Sequence, residues 1–182
     1  MELDAGICRL RPFAPIDRDR LAEVANDQRI WRNLTHRFPH PYTLQHADEW
    51  IELCSQEGEP TRNFAIDFDG ELVGGIGLDL LEGEKQHVGN VGYWIAADFW
   101  NRGIATDALR VLTGYAFEAF PLRRLQATVF GWNPASGRVL EKCGYQLEGR
   151  LHRAIIKADA ITDELWYGLV NPDTSPTEIA KS

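Results

Sequence analysis

The sequence predicts a mixed α/β fold, a single sheet of about seven strands with helices on both faces. Three observations carry that reading. Stretches of apolar–polar alternation are interleaved with stretches whose apolar residues recur every three or four positions, so strands and helices alternate along one chain. Asp69-Gly70 joins two β-prone runs and marks an antiparallel hairpin. The 182 residues show no internal repeat and no low-complexity stretch before the last dozen, which suits one domain.

The elements follow in order. ICRLRPF alternates and predicts a first strand ending at Pro12 or Phe13. Asp17 heads DRDRLAEVAND as the expected N-cap, with Leu21, Val24 and Ala25 on one helical face. Thr43 opens a second helix, LQHADEWIELCSQ, whose Leu44, Ala47, Trp50, Ile51 and Cys54 share a stripe. Between them, QRIWRNLTHRFPHPY is aromatic, rich in histidine and without a period. NFAIDF and ELVGGIGLDLL flank the Asp-Gly turn, and HVGNVGYWI is the next strand. Ile104 to Phe120 has helical spacing, RLQATVF is a strand, and ASGRVLEKC is a short helix closed by Gly144 as C′ cap. YQLEGRLHRAIIK and DELWYGLV are the last strands. The domain is expected over 1–170, and the polar tail 171–182, with two prolines, is expected to be disordered.

Composition narrows the function. Hydrophobic residues at 44% and charged residues at 25% exclude wholesale disorder. Twenty-seven acidic against 19 basic side chains give a net charge of −8, which repels nucleic acid and anionic lipid and suits a cationic substrate. Cys8, Cys54 and Cys143 cannot all pair and match no zinc spacing, so reduced thiols in a cytoplasmic protein, without a metal, are expected. No apolar run reaches membrane-helix length, and the acidic N-terminus does not read as a signal peptide. Trp50 and Trp166 read as core, and His87 and His152 as surface or structural residues.

Two segments carry chemistry. In IAADFWNRGIATD a strand ends at Ile95 and a helix begins at Ile104, with Arg102 and Gly103 between. Free N–H groups of a first helical turn, a small Gly103 and a nearby Arg102 form an anion site; a ligand-free turn stays open beside that reading. The dinucleotide and P-loop patterns do not match. Asn133-Pro134-Ala135-Ser136 opens the short helix, and Asn133 reads equally as a helix cap.

Taken together, GYWI, FWNRGIAT and NPASGRVLEKCGYQLEG resemble the GNAT acetyltransferases, most closely the Rim-type branch, whose founding members acetylate the N-terminal residue of ribosomal proteins. CRLRPF and Pro41-Tyr42-Thr43 extend the resemblance over Ile7 to Val170. It implies a largely antiparallel twisted sheet, splayed at a cofactor cleft, with acetyl-CoA as co-substrate. It places the pyrophosphate loop on Trp100, Asn101, Arg102, Gly103, Ile104 and Ala105, with Thr106 adding an N–H and a hydroxyl. Trp100 departs from the family's usual Gln or Arg. Backbone around Trp94, Ile95 and Ala96 would lie along pantetheine, Asn133 would bond its arm, and Ser136 would sit near the sulfur. Arg138 and Lys142 read either as adenosine contacts or as solvated helix positions.

Two departures concern proton transfer. Leu140 stands where many members carry a tyrosine, and Asn90 where many carry a carboxylate. Ser136 is therefore the expected thiolate partner, and Asn90 the expected holder of a relay water. Trp31, His36, Phe38 and Tyr42, with His40, are expected walls of the acceptor groove. The implied function is acetyl transfer to a primary amine, foremost the N-terminal α-amine of a protein or peptide. A small amine such as a polyamine or aminoglycoside, and a CoA-binding module without turnover, are the alternatives. Covalent catalysis by Cys143 is disfavoured at a helix C-terminus. A homodimer is left open.

Overall fold

The computed structural model describes residues 1–173; residues 174–182, most of the expected tail, lie outside it. The elements run β1 (Leu3–Asp4), β2 (Arg9–Arg11), α1 (Arg18–Ala25), α2 (Gln28–Trp31), α3 (Leu44–Ser55), β3 (Asn63–Phe68), β4 (Glu71–Leu80), β5 (Val88–Ile95), α4 (Ile104–Ala119), β6 (Arg124–Phe130), α5 (Pro134–Lys142), β7 (Gln146–Lys157) and β8 (Ala160–Val170). They build one eight-stranded sheet in the order β1-β2-β3-β4-β5-β6-β8-β7. Every pairing is antiparallel except that of β5 with β6. The expected seven strands are all present. The eighth, β1, has two residues, too few for any period to register.

Local chemistry explains the boundaries. Asp69 (φ 54°) and Gly70 (φ 85°) are both left-handed, as a tight primed hairpin turn requires, so β3 folds directly onto β4. The Thr43 hydroxyl accepts from the His46 N–H at 3.3 Å, and His46 Nδ1 accepts from the Thr43 N–H at 3.1 Å, a reciprocal cap that starts α3. Asp17 is the N-cap residue of α1, as expected, but its side chain makes no capping bond there. It closes a short 3-10 turn, Pro15–Asp17, where its carboxylate accepts the Ala14 N–H (2.8 Å) and both Arg11 terminal nitrogens (2.8 Å each). Arg11 reaches Asp67 as well, at 2.9 Å, so a largely buried ion triad ties the β2 exit to β3.

Helices cover both faces. Leu109, Leu112 and Ala116 of α4 and Leu140 of α5 pack against Phe64, Ile66, Val73, Leu78 and Leu125 on one face. Phe13, Leu21, Ala25, Ala47 and Ile51 pack against Ala65 and Leu72 on the other, under α1 and α3. Complete burial of each such Leu or Ile contributes about 1.5–3 kcal/mol, so the two layers hold the sheet between them. The periodless connection contains the single turn α2, capped by Asp27, which accepts the Arg29 N–H at 2.7 Å. Asn171 departs from the expected loose tail: it is buried, with its main chain on Arg123 O (2.9 Å) and its amide on Leu122 O (3.1 Å). No helix among the described residues is long and apolar enough to cross a membrane.

The feature that positions everything else lies between β5 and β6. Their parallel ladder has three pairs, Val88↔Arg124, Gly89↔Leu125 and Asn90↔Gln126. Beyond it β5 stays on β4 as far as Ile95, and β6 stays on β8 as far as Phe130, so the sheet forks.

Candidate active site

Strand parity decides which main-chain groups face the fork. Leu81 N–H donates to Val88 O (3.1 Å) and Ala96 N–H to Val73 O (2.7 Å), so even-numbered residues of β5 serve the β4 ladder. Arg123 N–H donates to His87 O (2.9 Å), turning odd-numbered residues towards β6. Val91, Tyr93 and Ile95 therefore direct their N–H and C=O groups to the β6 side. Of the residues expected along pantetheine, only Ile95 faces the fork, and its carbonyl already accepts the Trp100 indole N–H at 2.7 Å. Trp94 and Ala96 face β4. Val91 and Tyr93 face the β6 side too, which only knowledge of the register identifies. Trp100 thus has a definite role: it clamps the loop to the end of β5.

The loop itself is an array of unused donors. Asn101 (φ 61°) and Gly103 (φ 86°) are left-handed, and Gly103 is the N-cap of α4. The main-chain N–H groups of residues 101–105 donate to no acceptor among the described residues. The expected N–H of Thr106 is not among them, because it closes the first turn on Gly103 O (2.9 Å), as does Asp107 N–H (3.1 Å). Ile104 is buried and anchors the turn in the core, so the donors stand on a rigid base. Ala105 is half-buried beside it. The exposed Arg102 folds back, with Nη2 on Asp98 O (3.2 Å) and its guanidinium 5.0 Å from the Phe99 ring centre. Five unpartnered amides at a helix N-terminus with an arginine alongside fit a pyrophosphate.

Across the fork, α5 carries the second set. Asn133 Oδ1 accepts the Ser136 N–H at 3.4 Å, so it caps the helix, and its Nδ2 has no acceptor among the described residues. Ser136 Oγ lies 2.9 Å from the Tyr93 hydroxyl, which also lies 3.1 Å from Ser136 O. Burial pushes the Tyr93 pKa up, and its bond to Ser136 offsets this only in part, so the phenol stays protonated. Sequence reasoning missed Tyr93, which sits 43 positions from its partner. Asn90, level with the crotch of the fork, accepts the Gln126 amide at 2.8 Å, leaving its own Nδ2 as a donor. Leu140 is wholly buried in the α4–α5 core. Burial, the largest influence, raises the Cys143 thiol pKa, and Sγ lies 3.3 Å from Thr106 O, an arrangement that suits a packed thiol and not a nucleophile. Arg138 and Lys142 are exposed on α5.

The face opposite α4 and α5 carries Asn90 and Trp94 from β5, Gln126 from β6 and, by register with Phe130, Glu164 from β8. Of the expected groove walls, Phe38 is there, 5.7 Å from the Trp94 ring. Tyr42 is not: it is buried in the α1–α3 core, where Asn26 Oδ1 accepts its N–H at 2.9 Å. Trp31 is stacked on His40 at 5.3 Å, and His36 is exposed. Trp166 is half-exposed on this face, not core, and its indole N–H donates to Glu164 at 2.9 Å. Lys157, near the tip of the β7–β8 hairpin, spans to the connection after α2: Nζ donates to Leu34 O at 2.9 Å and lies 4.1 Å from the Trp31 ring centre. His87 Nδ1 meets Pro121 O at 2.8 Å, and His152 lies 3.3 Å from Asp163.

A forked mixed sheet, with a donor-rich loop on one prong and a capped helix on the other, matches known proteins. The family described as the acetyltransferase (GNAT) domain matches residues 8–146, and the chain belongs to it. It is an acetyl-CoA-dependent N-acetyltransferase. YoaA, an uncharacterized N-acetyltransferase of Bacillus subtilis (strain 168), is 35% identical over 56% of this chain and 57% of its own. YdaF of the same organism, whose name provisionally makes it a ribosomal N-acetyltransferase, is 30% identical over 88% of this chain and 90% of its own. Among solved structures, RimJ of Mycobacterium smegmatis, in complex with a CoA-disulfide, superposes with a TM-score of 0.78 at 26% identity, over 91% of this chain and 83% of that one.

Proposed function

We propose that the chain acetylates the N-terminal α-amine of a protein or peptide, as a Rim-type enzyme. The observation that carries the reading is the fork between β5 and β6, with five free amides at one end and Ser136–Tyr93 across it. Residues 101–105 hold the pyrophosphate, Val91 and Tyr93 offer main-chain groups to the pantetheine arm, and Asn133 Nδ2 donates to it. Acetyl-CoA supplies the activated acyl group as a thioester. Donors fixed around the fork stabilise developing negative charge on the carbonyl oxygen, and the same frame holds the amine close enough to react.

Proton traffic favours an α-amine. Asn90 is an amide, so it accepts no proton, and its Nδ2 orients a water. An α-amine has a pKa near 7.7–8.0, against about 10.4 for Lys, so roughly a tenth of it is already neutral at pH 7. A water relay then suffices as base. Glu164 gives the acceptor face a carboxylate that attracts the ammonium form. Ser136 donates towards the leaving sulfur. The name of YdaF, which makes it provisionally a ribosomal N-acetyltransferase, supports a protein acceptor.

The test is direct. Peptides with a free N-terminus, the same peptides N-blocked but carrying lysine, and spermidine are each incubated with acetyl-CoA; thiol release is followed and products are mapped by mass spectrometry. We expect acetyl on the α-nitrogen. Acetylation confined to spermidine or lysine, or CoA binding without turnover on any amine, overturns the reading.

A further inference from the structure

A chain of hydrogen bonds crosses the strands at the root of the fork. Glu148 sits at the bulge of β7 and grips Arg124 of β6 by both guanidinium ends, Nη1 on Oε1 at 2.8 Å and Nη2 on Oε2. Arg124 Nε donates in turn to Gln126 Oε1 at 3.3 Å, and Gln126 Nε2 donates to Asn90 Oδ1 at 2.8 Å. Gln126 is buried, which leaves its amide little water to turn to. The backbone makes room for the series. Gly168 of β8 lies in register with Gln126, between β6 and β7. A Cβ there would collide with Arg124 Nη2 and stand 2.6 Å from Glu148 Oε1, so the bare glycine lets Arg124 cross β8.

The chain of bonds has a direction, and the arginine sets it. An amide side chain has a donor end and an acceptor end, and two amides can face each other in either sense. Asn90 and Gln126 alone would leave open which presents N–H and which C=O. An arginine has only donors, so Gln126 turns Oε1 to Arg124 and Nε2 to Asn90. Asn90 then spends Oδ1 on Gln126 and keeps Nδ2, at the other end of the same amide, with no acceptor among the described residues. Glu148 anchors the series, because its two-oxygen grip fixes the guanidinium plane and with it the aim of Nε. Asp79 of β4 stands opposite Asn90 in register, but its carboxylate is paired with Arg37 at 3.3 Å.

We propose that Arg124 is a positioning residue for acetyl transfer: by fixing the sense of the Gln126–Asn90 pair, it makes Asn90 a hydrogen-bond donor to the relay water at the reacting nitrogen. The inference rests on the α-amine reading above and deepens it. A water that accepts from Nδ2 keeps a lone pair for the amine proton and both of its own O–H bonds for passing a proton outwards. The amine gives one proton to the water oxygen as the water gives one of its own to solvent. With the amide reversed, the water would spend an O–H on a carbonyl that takes no proton. The same carbonyl would bind the ammonium form and hold it unreactive.

Two variants separate direction from structure. Gln126→Glu inverts the sense at nearly constant shape, because a carboxylate accepts from both Arg124 and Asn90 Nδ2. Arg124→Met removes the anchor and leaves the two senses to compete. We expect kcat to fall about tenfold in Gln126→Glu, a fraction of what proton transfer contributes, and only about twofold in Arg124→Met, with KM for acetyl-CoA unchanged in both. A merely structural role gives the opposite order, since Arg124→Met strands Glu148 while Gln126→Glu keeps an ion pair. In an Asn90→Ala background the cost of Gln126→Glu should vanish. The sense is also read without turnover, in isotope-labelled wild-type protein, as a scalar coupling across the hydrogen bond from Gln126 Nε2 to the Asn90 side-chain carbonyl carbon. Coupling in the reverse direction overturns the inference, as does the opposite order of variants, an unchanged kcat in Gln126→Glu, or a loss that survives Asn90→Ala; the α-amine reading stands through any of these if α-amines are acetylated. If only other amines are acetylated, that reading falls, and the same variants compared on those amines decide the positioning. If no amine is turned over, both fall.

Discussion

Ser136 and Tyr93 distribute two hydroxyl protons among three acceptors, and that shortage defines their chemistry. Ser136 O can only accept, so when Tyr93 donates to it, the Ser136 proton turns to the phenol oxygen. When a negative sulfur approaches, Ser136 can donate to it instead, and Tyr93 can turn its own proton onto Ser136 Oγ. The raised Tyr93 pKa keeps that phenol from ionising, so the pair donates hydrogen bonds and does not pass on a second proton. Ser136→Ala should lower kcat by about 10–100-fold, with acetyl-CoA affinity nearly unchanged. Tyr93→Phe should fall between that variant and wild type. Single-turnover rates beside calorimetric affinities check this, and a wild-type rate in Ser136→Ala would show that water protonates the sulfur. Asp163 makes a prediction of a different kind. The Arg153 main-chain N–H, then Arg150, hold its pKa down to about 2. A depressed carboxyl pKa stabilises the fold fully above the unfolded value near 3.9, and that contribution disappears as pH falls through the folded value. Asp163→Asn should therefore melt earlier than wild type at pH 7, with the gap closing between about pH 4 and pH 2 in thermal scans.

At the scale of elements, the entrance to α4 is the most demanding piece of backbone in the site. Gly103 at φ 86° lets five consecutive amides converge, and a branched side chain there meets both a disfavoured conformation and Ile7 Cδ1 at 3.5 Å from its Cβ. Gly103→Val should weaken acetyl-CoA binding at least tenfold, because about 1–2 kcal/mol of left-handed strain is relieved only by rearranging the loop. Gly103→Ala should weaken it less; calorimetry showing equal affinity for Val and Gly would remove the loop from the cofactor site. This loop was legible in the sequence because its signals are local: a strand end, a glycine and a helical stripe within a dozen residues. The same holds for RLQATVF, whose observed ends coincide with the predicted run. What local pattern does not contain is which strand lies beside which. The fork, the Tyr93–Ser136 contact and the main-chain choice of Val91 and Tyr93 over Trp94 all depend on that order. Tyr42 and Trp166 show the matching error for aromatics: an aromatic in a connection turned inwards, and one in a strand turned outwards, each decided by its neighbours across the sheet.

For the whole molecule, the fork sets the dynamics. With β5 and β6 joined by three residue pairs, the ladder ends at Asn90↔Gln126, and the Tyr93 amide beyond it lacks a strand partner on the open side. Hydrogen exchange should be fast there and at residues 101–105, and CoA should slow both sets while leaving the β3–β4 amides unchanged; no protection on β5 would move the pantetheine elsewhere. The geometry has a mechanical side as well. A ligand entering from the open end is a wedge, and the strain of parting the prongs falls first on the Asn90–Gln126 amide bond, the last stitch before the split. Tearing past that stitch would undo the remaining pairs one at a time, as a seam gives way from its end. The depth to which an acyl chain can be driven between the strands is thus limited by one pair of side chains.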